Sequence, residues 1–415
     1  MSPRLQSALG IVGLLVLAWL ASEARRKVSW RFVAIGIGVQ SALAVLILKL
    51  PFAASVFRQI NRGVEGLQEA TAAGSTFVFG FLGGGPLPYA ETQVGASVVF
   101  AFRFMPLVIV VSALAALLTY WRVLPLIVRA FAWCFERTLG IGGAVAVASA
   151  ANPFLGMVES SILVRPYLER FTRSELFVVM CVGLAGIAGT VLVLYATMLA
   201  PIVPNAAGHL VAASIISLPG AIVMARVLIP EAEPPTPGAI ALEADVHGSI
   251  EAIMHGTRLG LQLFLNILAT LLVFVALVHL ADALLALLPP IGGHTWSLEL
   301  LIGRVFAPIA WLVGVPWHEA QTFGALLGTK TVLNELIAYR ELLALPPADL
   351  SERSRLLATY ALCGFANIGS IGILVTGLAT MAPARRPELA KLGVRALLGG
   401  TLATCTTAAL VGVLL

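Results

Sequence analysis

Two carboxylates stand inside apolar stretches. In "SAANPFLGMVESSILVRPYL" (149–168), Asn152, Pro153 and Gly156, which interrupt a helix, precede Glu159; "LLGTKTVLNELIAY" (326–339) carries Glu335. A charged side chain at the centre of a bilayer costs about 2.5–3.5 kcal/mol on insertion scales and is functional by default where it faces a cavity. Structural roles are the alternative: a position near the interface, or an ion pair of Glu159 with Arg165 or of Glu335 with Lys330. Asn152 and Pro153 are expected to end a half-helix, with Gly156 letting backbone approach a ligand; a kink repaired by neighbouring helices is the other reading. Each N–H or C=O freed by a break in lipid costs several kcal/mol, so breaks persist where protein, ions or substrate complete them. Half-helix N-termini suit polar or anionic groups, and exposed carbonyls suit a cation.

A third segment, "GFANIGSIG" from Gly364, brings Asn367 and Ser370 next to Phe365. With Glu335 these make a set fitted to a polyhydroxylated small molecule, with donors and acceptors for hydroxyls and an aromatic edge for a ring. Small polar residues also serve as packing contacts between membrane helices. His318 and Glu319, beside Pro316 and Trp317, add titratable groups at a turn, where a structural donor role for the histidine is as good a reading as titration. An intramembrane enzyme could use Glu159, Glu335 and His318 as acids and bases. The chain has no HExxH, no nucleophile motif and no cluster of metal ligands, and the expectation is that it is not an enzyme. Cys134, Cys181, Cys363 and Cys405 lie far apart with no CxxC and imply neither disulfides nor metal.

The elements that must position these groups follow from hydropathy. Of 415 residues, 59% are hydrophobic and 11% charged, against about 25% charged in soluble domains, so the chain reads as an all-α integral membrane protein. The net charge of +5 is spread over short loops, which sets topology and gives no nucleic-acid surface. A helix needs about 20 apolar residues to span, and eight runs qualify: 5–21, 32–48, 97–120, 176–199, 210–229, 259–288, 356–380 and 392–415. The first is read as a transmembrane helix rather than a cleaved leader. Two further stretches, 140–168 and 298–339, are interrupted near their middles and read as re-entrant hairpins. Arg25, Arg26, Lys27 and Arg31, then Arg122, Arg129 and Arg137, then Arg385, Arg386, Lys391 and Arg395 fall on one side of this scheme. Both termini are therefore expected outside a cytoplasmic (inner) membrane.

Two amphipathic stretches are expected at the interface: "SVFRQINRGVEGLQEA" (55–70), and a helix from about Ala244 after a Pro-rich linker. "GLAGIAGTV" from Gly183 aligns with "GFANIGSIG", each in a long span after an interrupted hairpin, the trace expected of inverted repeats. The organisation is read as scaffold helices over 1–120, a first hairpin and broken-helix repeat over 121–230 and a linker with interfacial helix over 231–258. A long scaffold helix over 259–297, a second hairpin and broken-helix repeat over 298–381 and a last helix over 382–415 complete it.

These segments, in order, with "TRSELFVVM", "GIAGTVL", "GVPWHEA" and "ATYALCGFANIGSIGIL", resemble the concentrative nucleoside transporter family over nearly the whole chain; "ARRKVSWRFV" and "FVFGFLGG" agree. The resemblance implies eight spans, two hairpins, inverted repeats, a homotrimer, and uptake of a nucleoside-like small molecule driven by a proton or sodium gradient, with no other cofactor. It places Gly156 and Glu159 on matching positions of the first hairpin, where "GMVE" aligns with Gly-Gln-Thr-Glu or Gly-Gln-Ser-Glu. Met157 and Val158 depart from it at the positions that face the nucleobase. Glu335, Asn367 and Ser370 match the residues that hold ribose hydroxyls, and Phe365 and Val191 match apolar contacts. The family's sodium site maps to Asn152, the Leu155 carbonyl and groups at Gly186 and Ile187, with Gly186 where sodium-coupled members commonly have Ser. The missing hydroxyl, with Glu159 nearby to carry a proton, favours protons as the coupling ion. The function expected is a secondary active symporter importing nucleosides by alternating access. The alternatives are the same fold with a non-standard substrate, or a passive channel.

Overall fold

The computed structural model describes residues 2–50, 53–92, 97–236, 246–289 and 296–415, and among them all regular structure is helical. Serine side chains open the first two helices: α1 (Pro3–Leu20) is capped by Ser2 and α2 (Trp30–Leu48) by Ser29, each accepting one of the backbone N–H groups left over at a helix start. The amphipathic stretch 55–70 lies within α3 (Ala53–Phe79). Its Phe57 is buried against Gly208 and meets His209 edge-on at 5.4 Å. A short α4 (Phe100–Arg103), α5 (Pro106–Tyr120) and α6 (Val123–Leu139) lead into the first interrupted segment, α7 (Gly143–Leu155) and α8 (Glu159–Ile162). Then follow α9 (Arg173–Ala185), opened by a capping box of Thr172 and Glu175, α10 (Gly189–Leu199) and α11 (Ala206–Leu228).

The second half begins with α12 (Ser249–Leu285). The interfacial helix expected from about Ala244 starts outside the described residues; what is described, from Ser249, runs unbroken into the long apolar helix. After it come α13 (Leu298–Val313), α14 (Trp317–Val332), α15 (Glu335–Ala344), α16 (Glu352–Leu362), α17 (Ile368–Met381) and α18 (Arg386–Leu414). Among the described residues, seven helical stretches are long and apolar enough to cross a membrane, or eight if the pair α13–α14, bent by 115°, is one span. The stretch 356–380 is divided at Cys363–Asn367 into α16 and α17, as its Gly-rich middle leads one to expect.

Burial separates an interior from a shell. The apolar window of α9–α10 is 89% buried and that of α11 is 83% buried, whereas that of α12 is 0% buried. α12 packs on α5 through Gly256 and Gly260, one turn apart, whose bare backbone lies on Ile109, Ser112 and Ala113. A side chain at either glycine would hold the two helices apart, and close backbone approach is what packs helices in lipid. α7, α9, α10, α11 and α18 form the buried centre against which α14 to α17 are set.

Candidate functional site

The first break lies at Gly156, three residues beyond Pro153. α7 continues through Pro153 to Leu155, and the Gly156 N–H donates to the Asn152 carbonyl at 2.9 Å. Proline removes one helical N–H and crowds the preceding turn; here residues 143–153 are all buried, so packing holds the helix through it. Gly156 then turns the chain at φ 100°, ψ 174°, a conformation that favours glycine. A Cβ there would also meet Glu159 Oε2 at 3.0 Å and the Ala188 Cβ at 3.2 Å. Glu159 keeps an exposed surface beside this turn. No ion pair joins it to Arg165, nor Glu335 to Lys330, among the described residues.

Asn152 reaches from α7 to the end of α9. Its Nδ2 donates to the Val182 carbonyl at 3.0 Å, while its Oδ1 is buried with no hydrogen-bond partner among the described residues. An unsatisfied buried acceptor costs about 1–3 kcal/mol. Beside it α9 stops at Gly186 and α10 resumes at Gly189. The Gly186 carbonyl accepts from the Phe365 N–H at 3.1 Å, so the breaks in "GLAGIAGTV" and "GFANIGSIG" touch one another. Ile187 is fully buried within the first and Leu155 is partly buried.

Two half-helix N-termini converge on Glu335. Asn334 caps α15, its Oδ1 accepting from the Ile337 N–H at 3.0 Å, and Asn367 caps α17, its Oδ1 accepting from the Ser370 N–H at 2.7 Å. Each satisfies a leftover donor of its helix. The other end of the Asn367 amide donates to Glu335 Oε2 at 3.1 Å, and the Tyr195 hydroxyl donates to Oε1 at 2.6 Å. Glu335 is 4% exposed. Tyr195 was not among the residues singled out from the sequence; its position one helical turn after Val191 on the same buried helix is the signal that could have found it. Lys330 is fully buried and donates to the Ala361 carbonyl at 2.8 Å and to Thr404 Oγ1 at 3.0 Å.

The remaining residues divide in two. Met157 packs on Gly183, and Val158 lies on Gly377 of α17, its methyls 2.8 Å from where a Cβ would stand; both are apolar walls beside the break. Val191 is buried, Ser370 is nearly so and Phe365 is partly buried. His318 is exposed, and Glu319, 3.6 Å from it, accepts from Ser351 at 3.1 Å at the cap of α16. That pair fixes the α13–α14 turn to α16 and shares no hydrogen bond with Glu335. No group of three or more His, Cys, Asp or Glu fit for a metal occurs among the described residues. What the arrangement offers is a buried carboxylate with two fixed donors, a wall of apolar side chains, and an amide beside a helix break whose oxygen is buried.

Three family models match the chain: "Na+ dependent nucleoside transporter N-terminus" over residues 9–82, "Gate: Nucleoside recognition" over 101–202 and "Na+ dependent nucleoside transporter C-terminus" over 209–412. The chain is 36% identical to an uncharacterized transporter, YutK, of Bacillus subtilis, covering 97% of this chain and 98% of that protein. It is 33% identical to the nucleoside permease NupC of Helicobacter pylori, covering 98% and 96%. Its fold matches that of CNTnw in an inward-facing substrate-bound state with a TM-score of 0.90 at 36% identity, covering 99% and 98%.

Proposed function

The chain belongs to the concentrative nucleoside transporter family, and we propose that it is a cation-coupled symporter importing nucleosides by alternating access. The observation that carries this is Glu335, held in the interior by Tyr195 and Asn367 where two half-helix N-termini meet. A carboxylate oxygen has two acceptor sites, so with one donor on each oxygen Glu335 keeps capacity for the vicinal hydroxyls of a ribose. In this reading Asn367 and Ser370 complete the sugar side. Phe365 and Val191 flank the ring, Gly156 and Glu159 form the turn that closes over it, and Met157 and Val158 face the base.

The coupling ion we assign is sodium, on the buried Asn152 Oδ1 that no protein donor satisfies. Carbonyls at Leu155, Gly186 and Ile187 would complete an oxygen shell around it. An acceptor left bare in an apolar interior is suited to a cation that sheds its water. The competing reading is proton carriage by Glu159, whose side chain keeps an exposed surface beside the turn. The bilayer is the other partner of the chain. The unburied apolar window of α12 supports contact with lipid or with further copies in a homotrimer. The eight-span scheme with two re-entrant hairpins, inverted repeats and both termini outside the inner membrane belongs to the same proposal.

Uptake of a panel of labelled nucleosides into proteoliposomes, with sodium and proton gradients imposed separately, tests it. Accumulation driven by an inward sodium gradient alone is expected. Accumulation driven by protons and indifferent to sodium would move the coupling to Glu159, and equilibration without accumulation would make the protein a passive channel. Transport restricted to compounds other than ordinary nucleosides would keep the fold and change the substrate.

A further inference from the structure

Glu335 can hold two sugar hydroxyls only if its carboxylate plane is fixed, and Asn367 alone leaves one oxygen free to swing. The second restraint comes from α10. Tyr195 is 2% exposed, and its hydroxyl donates to Glu335 Oε1 at 2.6 Å, within the range of a well-formed O–H···O hydrogen bond. Its ring packs on Tyr339, one turn beyond Glu335 on α15, with centroids 5.2 Å apart. Tyr339 is anchored in turn by its hydroxyl on the Thr359 carbonyl at 2.9 Å. α10 thus both packs on α15 and aims the Tyr195 hydroxyl at the carboxylate, about two turns past the helix break at Gly186–Ala188.

We propose that Tyr195 is a positioning residue for the sugar site: it locks the Glu335 carboxylate so that the unused acceptor sites of both oxygens point at adjacent ribose hydroxyls. This rests on the reading of Glu335 as the ribose-binding group. Tyr195 does not itself touch the nucleoside; it sets the orientation that lets the site distinguish a ribose from a deoxyribose. A site whose buried acceptors are aimed at substrate hydroxyls rejects the analogue lacking them far more strongly than an apolar pocket rejects a change of size.

The test is uptake of a ribonucleoside and of its 2′-deoxy and 3′-deoxy counterparts into proteoliposomes by the parent protein and by Tyr195→Phe, Tyr339→Phe and Glu335→Gln. Tyr195→Phe keeps the ring and its packing and removes only the hydroxyl. It should raise KM for the ribonucleoside about tenfold or more, leave the maximal rate within about twofold, and shrink the preference for ribose over deoxyribose. Tyr339→Phe, equally buried and equally bonded but not to the carboxylate, should leave that preference unchanged. If Tyr195→Phe leaves KM and the ribose preference as they were, or if Tyr339→Phe shifts both in the same way, Tyr195 is a packing residue only and the proposal is overturned. Normal uptake by Glu335→Gln would instead overturn the assignment of Glu335 itself, so the two failures are separable.

Discussion

The side-chain amide nitrogen of Asn152 fills the space that a Cβ on Gly186 would need, while the oxygen of the same amide lies buried without a partner. The absent serine hydroxyl at 186 is thus not a hole in the site: the asparagine has moved into it, tied down by the Val182 carbonyl.

Coupling should therefore depend on Asn152 and tolerate no side chain at 186. Asn152→Ala removes the unsatisfied oxygen, and the half-saturating sodium concentration for uptake is expected to rise about tenfold or more, the loss of one charge-assisted contact. Gly186→Ser forces the amide away from Val182 and should weaken sodium stimulation instead of adding a ligand. A sodium titration of uptake reads both; an unchanged response in Asn152→Ala would remove sodium from this site.

Glu335→Gln should cut uptake by about tenfold to a hundredfold without unfolding the protein. Tyr195 and Asn367 both donate to the carboxylate, and an amide in its place keeps one acceptor oxygen for two donors, so the Tyr195 hydroxyl must turn and accept from the new NH2. Removing a charged hydrogen-bond partner costs about 1.5–3 kcal/mol. Uptake within twofold of the parent, at equal reconstituted amount, would show that the carboxylate is not needed.

How much of this was legible in the sequence differs from residue to residue. Glu335, Asn367 and Ser370 stand out because a polar group in an apolar run is expensive and so calls for a reason. The break at Gly156 was displaced to Asn152 and Pro153, because proline is the stronger local signal and the packing that carries α7 through it is a tertiary effect. Tyr195 was passed over since a tyrosine in a membrane helix is ordinary; only the approach of α15 makes its hydroxyl informative. The exposed surface of Glu159 is likewise hidden from the sequence, as exposure depends on which elements stand opposite.

Away from the site, Glu23 ties three segments together. Its carboxylate accepts from Arg173 at the start of α9 and from Arg395 of α18, and its N–H donates to the Leu228 carbonyl at the end of α11. The hydrogen bond from Arg173, followed by the charges of both arginines, holds its pKa below the ordinary 4.5. A depressed carboxylate contributes stability that is complete above the ordinary value and is lost as pH falls through the lowered one. Glu23→Gln should lower the melting temperature of the detergent-solubilised protein at pH 7, by an amount corresponding to about 1 kcal/mol or less given the exposed arginines. The gap should close as the pH falls below the lowered value. An equal gap at both pH values would assign the effect to packing.

The wall beside the first break should make the transporter tolerant of the base. Met157 is packed on Gly183 and Val158 on Gly377, and neither offers a donor or acceptor to a pyrimidine or purine edge. An apolar pocket separates ligands by only about 10–200-fold, whereas one that hydrogen-bonds its substrate separates them by several orders of magnitude more. Purine and pyrimidine ribonucleosides should then compete for uptake with half-inhibiting concentrations within about tenfold of each other, while loss of the sugar hydroxyls costs more. Val158→Thr is nearly isosteric and keeps the seat on Gly377, so together with Met157→Gln it restores polar groups at little cost in packing. That double variant should become selective for one class of base. A strict preference among bases in the parent protein that survives Met157→Ala would mean that base recognition lies elsewhere in the site.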